Sequence, residues 1–425
     1  MIATFCERFG VTGRVRDAAL RAYERVAAVR YPAQTMVQCN VLQAFLDEGI
    51  GESDLAGSTG YGYDDAARAH YESLLARIFG TQRALARLSL VSGTHAIVTA
   101  LAACVPPGKT LLSVTGQPYD TLRNAVVHAS HSLVRQGIGY REVALTEAGE
   151  IDCETVTAEL ERDPGVAAIF VQRSRGYAPR PSLGIAACER AFARIREARA
   201  DIPILVDNCY GELVEEREPT HVGADLVMGS LIKNLGGSIA PAGGYVAGRS
   251  ELIERVAARH YAPGLGDALG PTLGLGRAFI QGLFLAPAAV GAALRGLDFA
   301  SALFAELGYG VDPLPGARRT DIVQAIRLGD PAALERFAQG LQRAMPVNAR
   351  FRPEPGSVPG YTDPVIMSSG AFVAGATIEL SCDAPLRAPF DVYLQGGVVV
   401  EHAMLGALFA AREVCERAEG HRREH

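Results

Sequence analysis

The 425-residue sequence predicts an α/β protein in which a large domain on a mostly parallel sheet is followed by a smaller α+β domain. Three observations lead there. Short apolar runs alternate with amphipathic helices through the first two thirds of the chain. Most of these runs are bounded by turn or cap residues, as strands covered on both faces should be. And 425 residues exceed the ~250–300 at which one core usually stops growing, so two packed units are expected.

Residues 1–55 read as an N-terminal helical arm: Arg14 to Val29 and Gln38 to Leu46 carry apolar residues at three-to-four spacing, separated by Tyr31-Pro32. Residues 56–290 form the large domain. A helix is expected from Asp64 to Gly80, a strand from Ala86 to Val91, and a helix from Ser92-Gly93-Thr94 to Cys104. Further strands are expected at Thr110 to Val114, Val166 to Gln172, Ile204 to Asp207 and Leu226 to Gly229. A glycine-rich stretch from Gly264 to Gly276 leads into a long apolar helix that passes Pro287 with a kink toward Leu307. Residues 291–425 mix strands (Asp321 to Ile326, Ala376 to Leu380) with helices (Ala332 to Ala344, Leu405 to Arg417), which is the smaller α+β domain.

Composition narrows the function. With 48% hydrophobic and 21% charged residues the chain can bury a large core. Forty-one basic against 47 acidic residues give a formal charge of −6, and no long run of one sign occurs before the end that starts at Arg417. That balance carries no footprint for nucleic acid. The longest apolar stretch, Ala278 to Leu294, is interrupted by Gln281, Gly282, Pro287 and Gly291, so no membrane span is expected. The N-terminus, MIATFCERFG, has no basic n-region or apolar h-region, and cytoplasmic residence is the default expectation. Eight cysteines are scattered without a CxxC pair, so no metal site is expected and most should be reduced core thiols.

Four local patterns could carry chemistry. The first is GSLIKNLGG, in which Lys233 follows a buried strand and is enclosed by small residues. Desolvation there should lower the amine pKa and free it for imine formation. An exposed loop lysine is the plain alternative, set against the fact that Lys109 and Lys233 are the only two lysines. The second is ILVDNCYGE, an apolar strand ending in Asp207, where ligands of open α/β sheets bind; a carboxylate there can hold a pyridinium nitrogen protonated, or simply cap the next turn. Third, Ser92-Gly93-Thr94 opens an apolar helix whose free N–H groups suit phosphate, though an N-cap needs no ligand; Ser230 could add a hydroxyl. Fourth, Tyr119 in GQPY could stack on a planar cofactor and act as acid or base, or merely pack in a turn.

The order and spacing of the four resemble fold type I pyridoxal-phosphate enzymes. The chain is most similar to the methionine γ-lyase-like family often labelled aluminium-resistance proteins, within the cystathionine and methionine lyase group. The resemblance rests on GYGYDDAARAHYE, VSGTHAI, GQPYDTL, FVQRSRGY, VDNCYGELVE, GSLIKNLGGSIAPAGGYVAG, APGLG, QGLFLAP, RTDIVQAI, IELSCDAPLR and YLQGG, across roughly residues 55 to 405. It implies a seven-stranded sheet in the large domain and pyridoxal 5'-phosphate as cofactor. Lys233 would carry the cofactor and move protons between Cα and Cγ. Asp207 would pair with the pyridine nitrogen. Ser92, Gly93, Thr94 and Ser230 would hold the phosphate, and Tyr119 would stack on the ring and assist the leaving group. Tyr61 corresponds to a tyrosine that reaches the phosphate of a neighbouring subunit, which implies a homodimer or homotetramer with shared active sites.

Two departures limit the transfer. Tyr63 stands where sulfur-amino-acid lyases have an arginine on the phosphate, and Glu379-Leu380-Ser381 replaces their Arg-Leu-Ser carboxylate clamp. Arg387 is then the candidate for the substrate carboxylate, with Arg173 or Arg175 as runners-up, each otherwise a surface ion pair. The expected function is a lyase eliminating a heteroatom group from Cγ of an L-amino acid. β-Elimination or γ-replacement is the alternative, and a non-catalytic cofactor sensor lacks a basic helix-turn-helix output.

Overall fold

In the computed structural model the backbone is described for residues 1–423 and the side chains through Cys415, so the side chains of the basic end from Arg417 lie outside the described residues. The chain divides into two units, residues 33–287 and residues 1–32 with 288–425.

The larger unit contains a seven-stranded sheet. In chain order its elements are α3 (Pro32–Glu48, after α1, Ile2–Arg8, and α2, Gly13–Ala27), α4 (Ala66–Ile78), β1 (Arg83–Arg87), α5 (Gly93–Cys104), β2 (Thr110–Ser113), α6 (Asp120–Arg123), β3 (Gly139–Glu142), α7 (Cys153–Arg162), β4 (Val166–Gln172), α8 (Ile185–Ala198), β5 (Ile204–Asp207), β6 (Leu226–Ser230), β7 (Gly244–Gly248) and α9 (Ser250–His260). The strand order is β1-β7-β6-β5-β4-β2-β3, with β7 antiparallel to both its neighbours and every other pairing parallel. The reversal has a simple cause: the chain between Ser230 and Gly244 holds only a short turn and no crossover helix, so β7 returns beside β6. Leu205, Leu226, Met228, Val246 and Phe170 pack beneath α5 and α9 in one apolar core.

The strand expected at Ala86 to Val91 lies earlier, at β1, and Leu88 to Val91 form the turn into α5. Arginines at both ends of β1 disguise it; Arg87 is buried with its guanidinium on Glu72, Tyr261 and the Asp267 carbonyl. β3 and β7 carry no apolar run that sequence periodicity could detect.

The smaller unit holds a five-stranded antiparallel sheet of order β10-β11-β12-β9-β8. Its strands are β8 (Gly310–Asp312), β9 (Val323–Arg327), β10 (Val365–Ser369), β11 (Ser381–Pro385) and β12 (Asp391–Gln395), with α11 (Pro331–Gln342) and α12 (Val400–Arg423). The long helix α10 (Gly276–Glu306) runs through Pro287, where the unit boundary falls. By length and composition α10 could cross a membrane, contrary to expectation, but 67% of its most apolar window is buried inside the protein, as a core helix should be.

Two expectations need correction. The arm is helical but is not one piece. Residues 1–32 belong with the C-terminal segment, because Tyr31 donates to Asp298, Arg14 to the Leu307 carbonyl (2.5 Å) and Arg412 to the Phe9 carbonyl (2.8 Å). Residues 376–380 form turns, not a strand. The buried Glu379 carboxylate folds back to accept the N–H groups of Phe372 (2.9 Å) and Val373 (3.3 Å), which a strand alternation cannot reveal.

Candidate active site

The carboxyl ends of β5 and β6 face the amino end of α5, so three groups that are far apart in sequence meet. Ser92 caps α5, its Oγ accepting the His95 N–H (3.1 Å), which leaves the N–H groups of Gly93 and Thr94 without intrahelical acceptors. Gly93 sits directly against Ser230. A Cβ at Gly93 would lie 3.2 Å from the Ser230 Cβ, 3.3 Å from its N and 3.4 Å from the Cys209 Sγ, so any larger residue would have to push these neighbours back. Ser230 itself is buried at the end of β6.

Asp207 ends β5 with 3% exposure, and its Oδ1 accepts the Cys209 N–H (3.1 Å). Burial pushes its carboxyl up, while Lys233 and the Cys209 donors oppose that rise. Lys233 is half-buried, its Nζ 3.9 Å from the centroid of the Tyr210 ring. Burial alone would depress this amine, as expected from the sequence, yet its pKa is raised well above the ordinary value because Cys209, Tyr210, Tyr119 and Asp207 all face it. The expectation of a lowered amine pKa is therefore corrected: acidic neighbours outweigh desolvation here.

Tyr119 precedes α6. Its N–H donates to Gln172 Oε1 (2.8 Å), and its hydroxyl shares a hydrogen bond with Thr94 Oγ1 (2.9 Å). Burial and the nearby Asp207 hold its phenol well above the ordinary tyrosine value, so it is protonated at neutral pH.

The remaining candidates lie in different settings. Tyr61 and Tyr63 stand on the exposed loop before α4, 74% and 58% accessible, with ring centroids 5.8 Å apart. Arg173 is fully buried and engaged. It donates to Glu215 (2.6 Å), to Asn208 Oδ1 and the Gly211 carbonyl (2.9 Å each), and to the Leu183 carbonyl (3.1 Å). Arg173 is thus an internal tie and is poorly placed to receive a substrate, which corrects its place among the carboxylate candidates. Arg175 is buried on the turn after β4, its N–H donating to Ser182 Oγ (3.1 Å). Arg387 belongs to the smaller unit, where it faces Asp363 (3.4 Å).

Several residues escaped the sequence reading. Cys209 and Tyr210 lie beside Lys233, with Tyr210 held at φ +71°, a strained conformation for a bulky residue. Asn234 ties the Lys233 turn to the Asp207 turn by donating to the carbonyls of Glu212 (2.8 Å) and Tyr210 (3.1 Å). Their adjacency to Asp207 and Lys233 was the only available signal. Glu212 is fully buried, with Oε1 accepting from Tyr245 (2.9 Å), Oε2 without a hydrogen-bond partner among the described residues, and its pKa pushed up to about 8 by burial.

A primary amine that can condense with an aldehyde, a buried carboxylate, an aromatic hydroxyl and a glycine-cleared helix N-terminus are the groups a planar phosphate-bearing aldehyde requires, so these residues fit pyridoxal phosphate. The methionine gamma-lyase family model matches residues 15–415. The chain belongs to that family. This family member is 43% identical over 395 residues to the uncharacterized protein YnbB of Bacillus subtilis, covering 91% of this chain and 93% of that one. Among solved structures, a carbon-sulfur lyase involved in aluminum resistance from Clostridium novyi superposes with a TM-score of 0.92 at 38% identity, covering 97% of this chain and 98% of that one. A Clostridium acetobutylicum protein provisionally described as a cystathionine beta-lyase involved in aluminum resistance gives 0.93 at 40% identity, with 97% and 98% covered. The fold is therefore the fold type I architecture, and the family is pyridoxal-phosphate-dependent. The protein is a pyridoxal-phosphate-dependent lyase of the methionine gamma-lyase family.

Proposed function

We propose that the protein removes a heteroatom leaving group from Cγ of an L-amino acid. What supports this is the meeting of Lys233, Asp207 and Tyr119 at one end of the sheet, with Tyr119 protonated and close to the Lys233 amine. When bound, pyridoxal phosphate supplies an electron sink for a carbanion at Cα. The chain does the rest. Ser92, Gly93 and Ser230 hold the phosphate at the amino end of α5, and Asp207 holds the ring nitrogen protonated. The Lys233 amine, in its neutral form, would take the proton from Cα and move protons at Cβ and Cγ. The Tyr119 hydroxyl delivers a proton to the departing atom. With one water consumed, the products are a 2-oxo acid, ammonia and the protonated leaving group.

Arg175 and Arg387 are the candidates for the substrate carboxylate. Assembly with a second copy through the exposed Tyr61 loop belongs to the same reading, since Tyr61, Tyr63 and Leu273 together leave apolar surface open.

The deciding experiment incubates the holoenzyme with β- and γ-substituted L-amino acids and identifies products by mass spectrometry. A 2-oxo acid that retains Cγ supports the proposal, and Lys233→Ala should abolish its formation. Pyruvate instead would favour β-elimination, the second reading, which the cystathionine beta-lyase description of the Clostridium acetobutylicum relative recommends.

A further inference from the structure

Thr94 sits on the first turn of α5, where the sequence pattern suggests a phosphate ligand. Its side chain is used differently. Thr94 Oγ1 and the Tyr119 hydroxyl are 2.9 Å apart, a normal hydrogen bond between two hydroxyls. Two further contacts hold Tyr119 at its other end. Gln172 Oε1 accepts the Tyr119 N–H (2.8 Å), and Gln172 is itself fixed by its own Nε2 donating to the Ser174 carbonyl (2.9 Å) and its N–H to Thr115 Oγ1 (3.0 Å). Gly176 closes against the root of the side chain: at φ +59° a Cβ there would lie 3.1 Å from Tyr119 Cβ and 3.2 Å from Gln172 Nε2. Tyr119 is therefore held at its backbone, at Cβ and at its hydroxyl.

We infer that Thr94 is a positioning residue for Tyr119, fixing the phenol oxygen through its hydroxyl, and that its side chain does not hold the cofactor phosphate. This deepens the proposed function and rests on it only for the catalytic consequence. Whichever of the two hydroxyls donates, the hydrogen bond turns Thr94 Oγ1 toward the phenol. The backbone N–H groups of Gly93 and Thr94, with the hydroxyls of Ser92 and Ser230 close by, leave the phosphate supplied without Thr94 Oγ1. A phenol held in one orientation keeps its proton directed at one place. Released, the ring turns about its side-chain bonds and the proton is delivered less often.

The test uses Thr94→Val and Thr94→Ser, with Thr94→Ala in reserve should the valine variant not fold. Three readouts separate the roles. First, the apoproteins are titrated with pyridoxal phosphate. Thr94→Val should bind within about twofold of the parent, whereas the loss of a phosphate contact would weaken binding about tenfold and overturn the inference. Second, with tyrosines labelled at the ζ carbon, the Tyr119 resonance is assigned by its disappearance in Tyr119→Phe. It should shift in Thr94→Val and hold in Thr94→Ser; no shift in the valine variant overturns the inference. Third, kcat on the best amino-acid substrate should fall about fivefold to tenfold in Thr94→Val at unchanged KM, with Thr94→Ser recovering most of it. A loss confined to KM would overturn it as well. If the parent turns over no amino acid, the proposed reaction has failed, while the titration and the resonance still decide what Thr94 does.

Discussion

Replacing Glu212 by glutamine should stabilise the protein, and by an amount that grows with pH. Glu212 is fully buried, its Oε1 accepts from the Tyr245 hydroxyl, and its Oε2 meets no hydrogen-bond partner among the described residues. Burial raises its pKa from the ordinary 4.5 to about 8, with Glu218 adding and Tyr245 and Lys233 opposing. An acid whose folded pKa lies above its unfolded value holds a proton in the fold that the unfolded chain has released. Stability from this group is therefore complete below pH 4.5 and falls as pH rises toward 8, by about 1.4 kcal/mol per pH unit. Roughly 4–5 kcal/mol is lost across that window, less where buried charges relax. Glutamine keeps the acceptor for Tyr245 and cannot ionise, so Glu212→Gln escapes this loss. Glu218, raised to about 7 by burial, is present in both proteins, and its contribution largely cancels in the difference. Urea unfolding of the apoproteins at intervals from pH 5 to 8 gives that difference directly. A gap that opens by about 1 kcal/mol or more per pH unit is expected. A gap independent of pH would mean that Glu212 is ionised in the fold, and the reasoning would be refuted.

Three other outcomes follow from the same geometry. Asp65 accepts from Ser58, from the Arg68 N–H and from Thr272, and although burial pushes its carboxyl up these donors bring it down to about 2; Asp65→Asn should cost roughly 2–3 kcal/mol at pH 7, with the difference from the parent vanishing as pH falls from 4 toward 2, and should speed hydrogen exchange in the Tyr61 loop. Arg173→Met leaves Glu215 and Glu218 without their cation, so a loss of about 3–5 kcal/mol in unfolding experiments is expected, whereas Arg175→Ala or Arg387→Ala should raise KM in whichever of them binds the substrate carboxylate. Tyr210→Leu removes the ring beneath the Lys233 amine and should lower that amine's pKa, read from the pH dependence of pyridoxal phosphate capture by the apoprotein; Tyr210→Phe, which keeps the ring and loses only the phenol, should lower it less.

The strands that lead to the site could be placed from sequence because they are apolar on both faces. β4 and β5 fall where Val166 to Gln172 and Ile204 to Asp207 were read, and α5 begins at its Ser92 cap. β1 was misplaced because arginines stand at both its ends, one of them the buried Arg87, and β7 was missed because a strand ending in glycines has no alternation. Lys233, Asp207 and Tyr119 were recognisable as chemistry-bearing residues from their positions after strands. Cys209, Tyr210 and Glu212, adjoining Asp207 in the same motif, were not, because nothing in a one-dimensional pattern states which way a turn residue faces.

Sequence alone therefore determined the parallel α/β core, the family resemblance and the identities of the amine, the carboxylate and the helix terminus, since those depend on local periodicity and on residue type. Tertiary structure decided the electrostatics and the partnerships. Lys233 is raised and not lowered because Asp207, Cys209 and Tyr210 from the turn after β5 and Tyr119 from the turn before α6 converge on it. Arg173 is withdrawn from the candidate site because two glutamates more than forty residues downstream enclose it. Thr94 faces Tyr119 because α5 and the turn before α6 are brought together by the sheet beneath them. Charge interactions and hydrogen bonds depend on distance in space, and only the folded chain sets those distances.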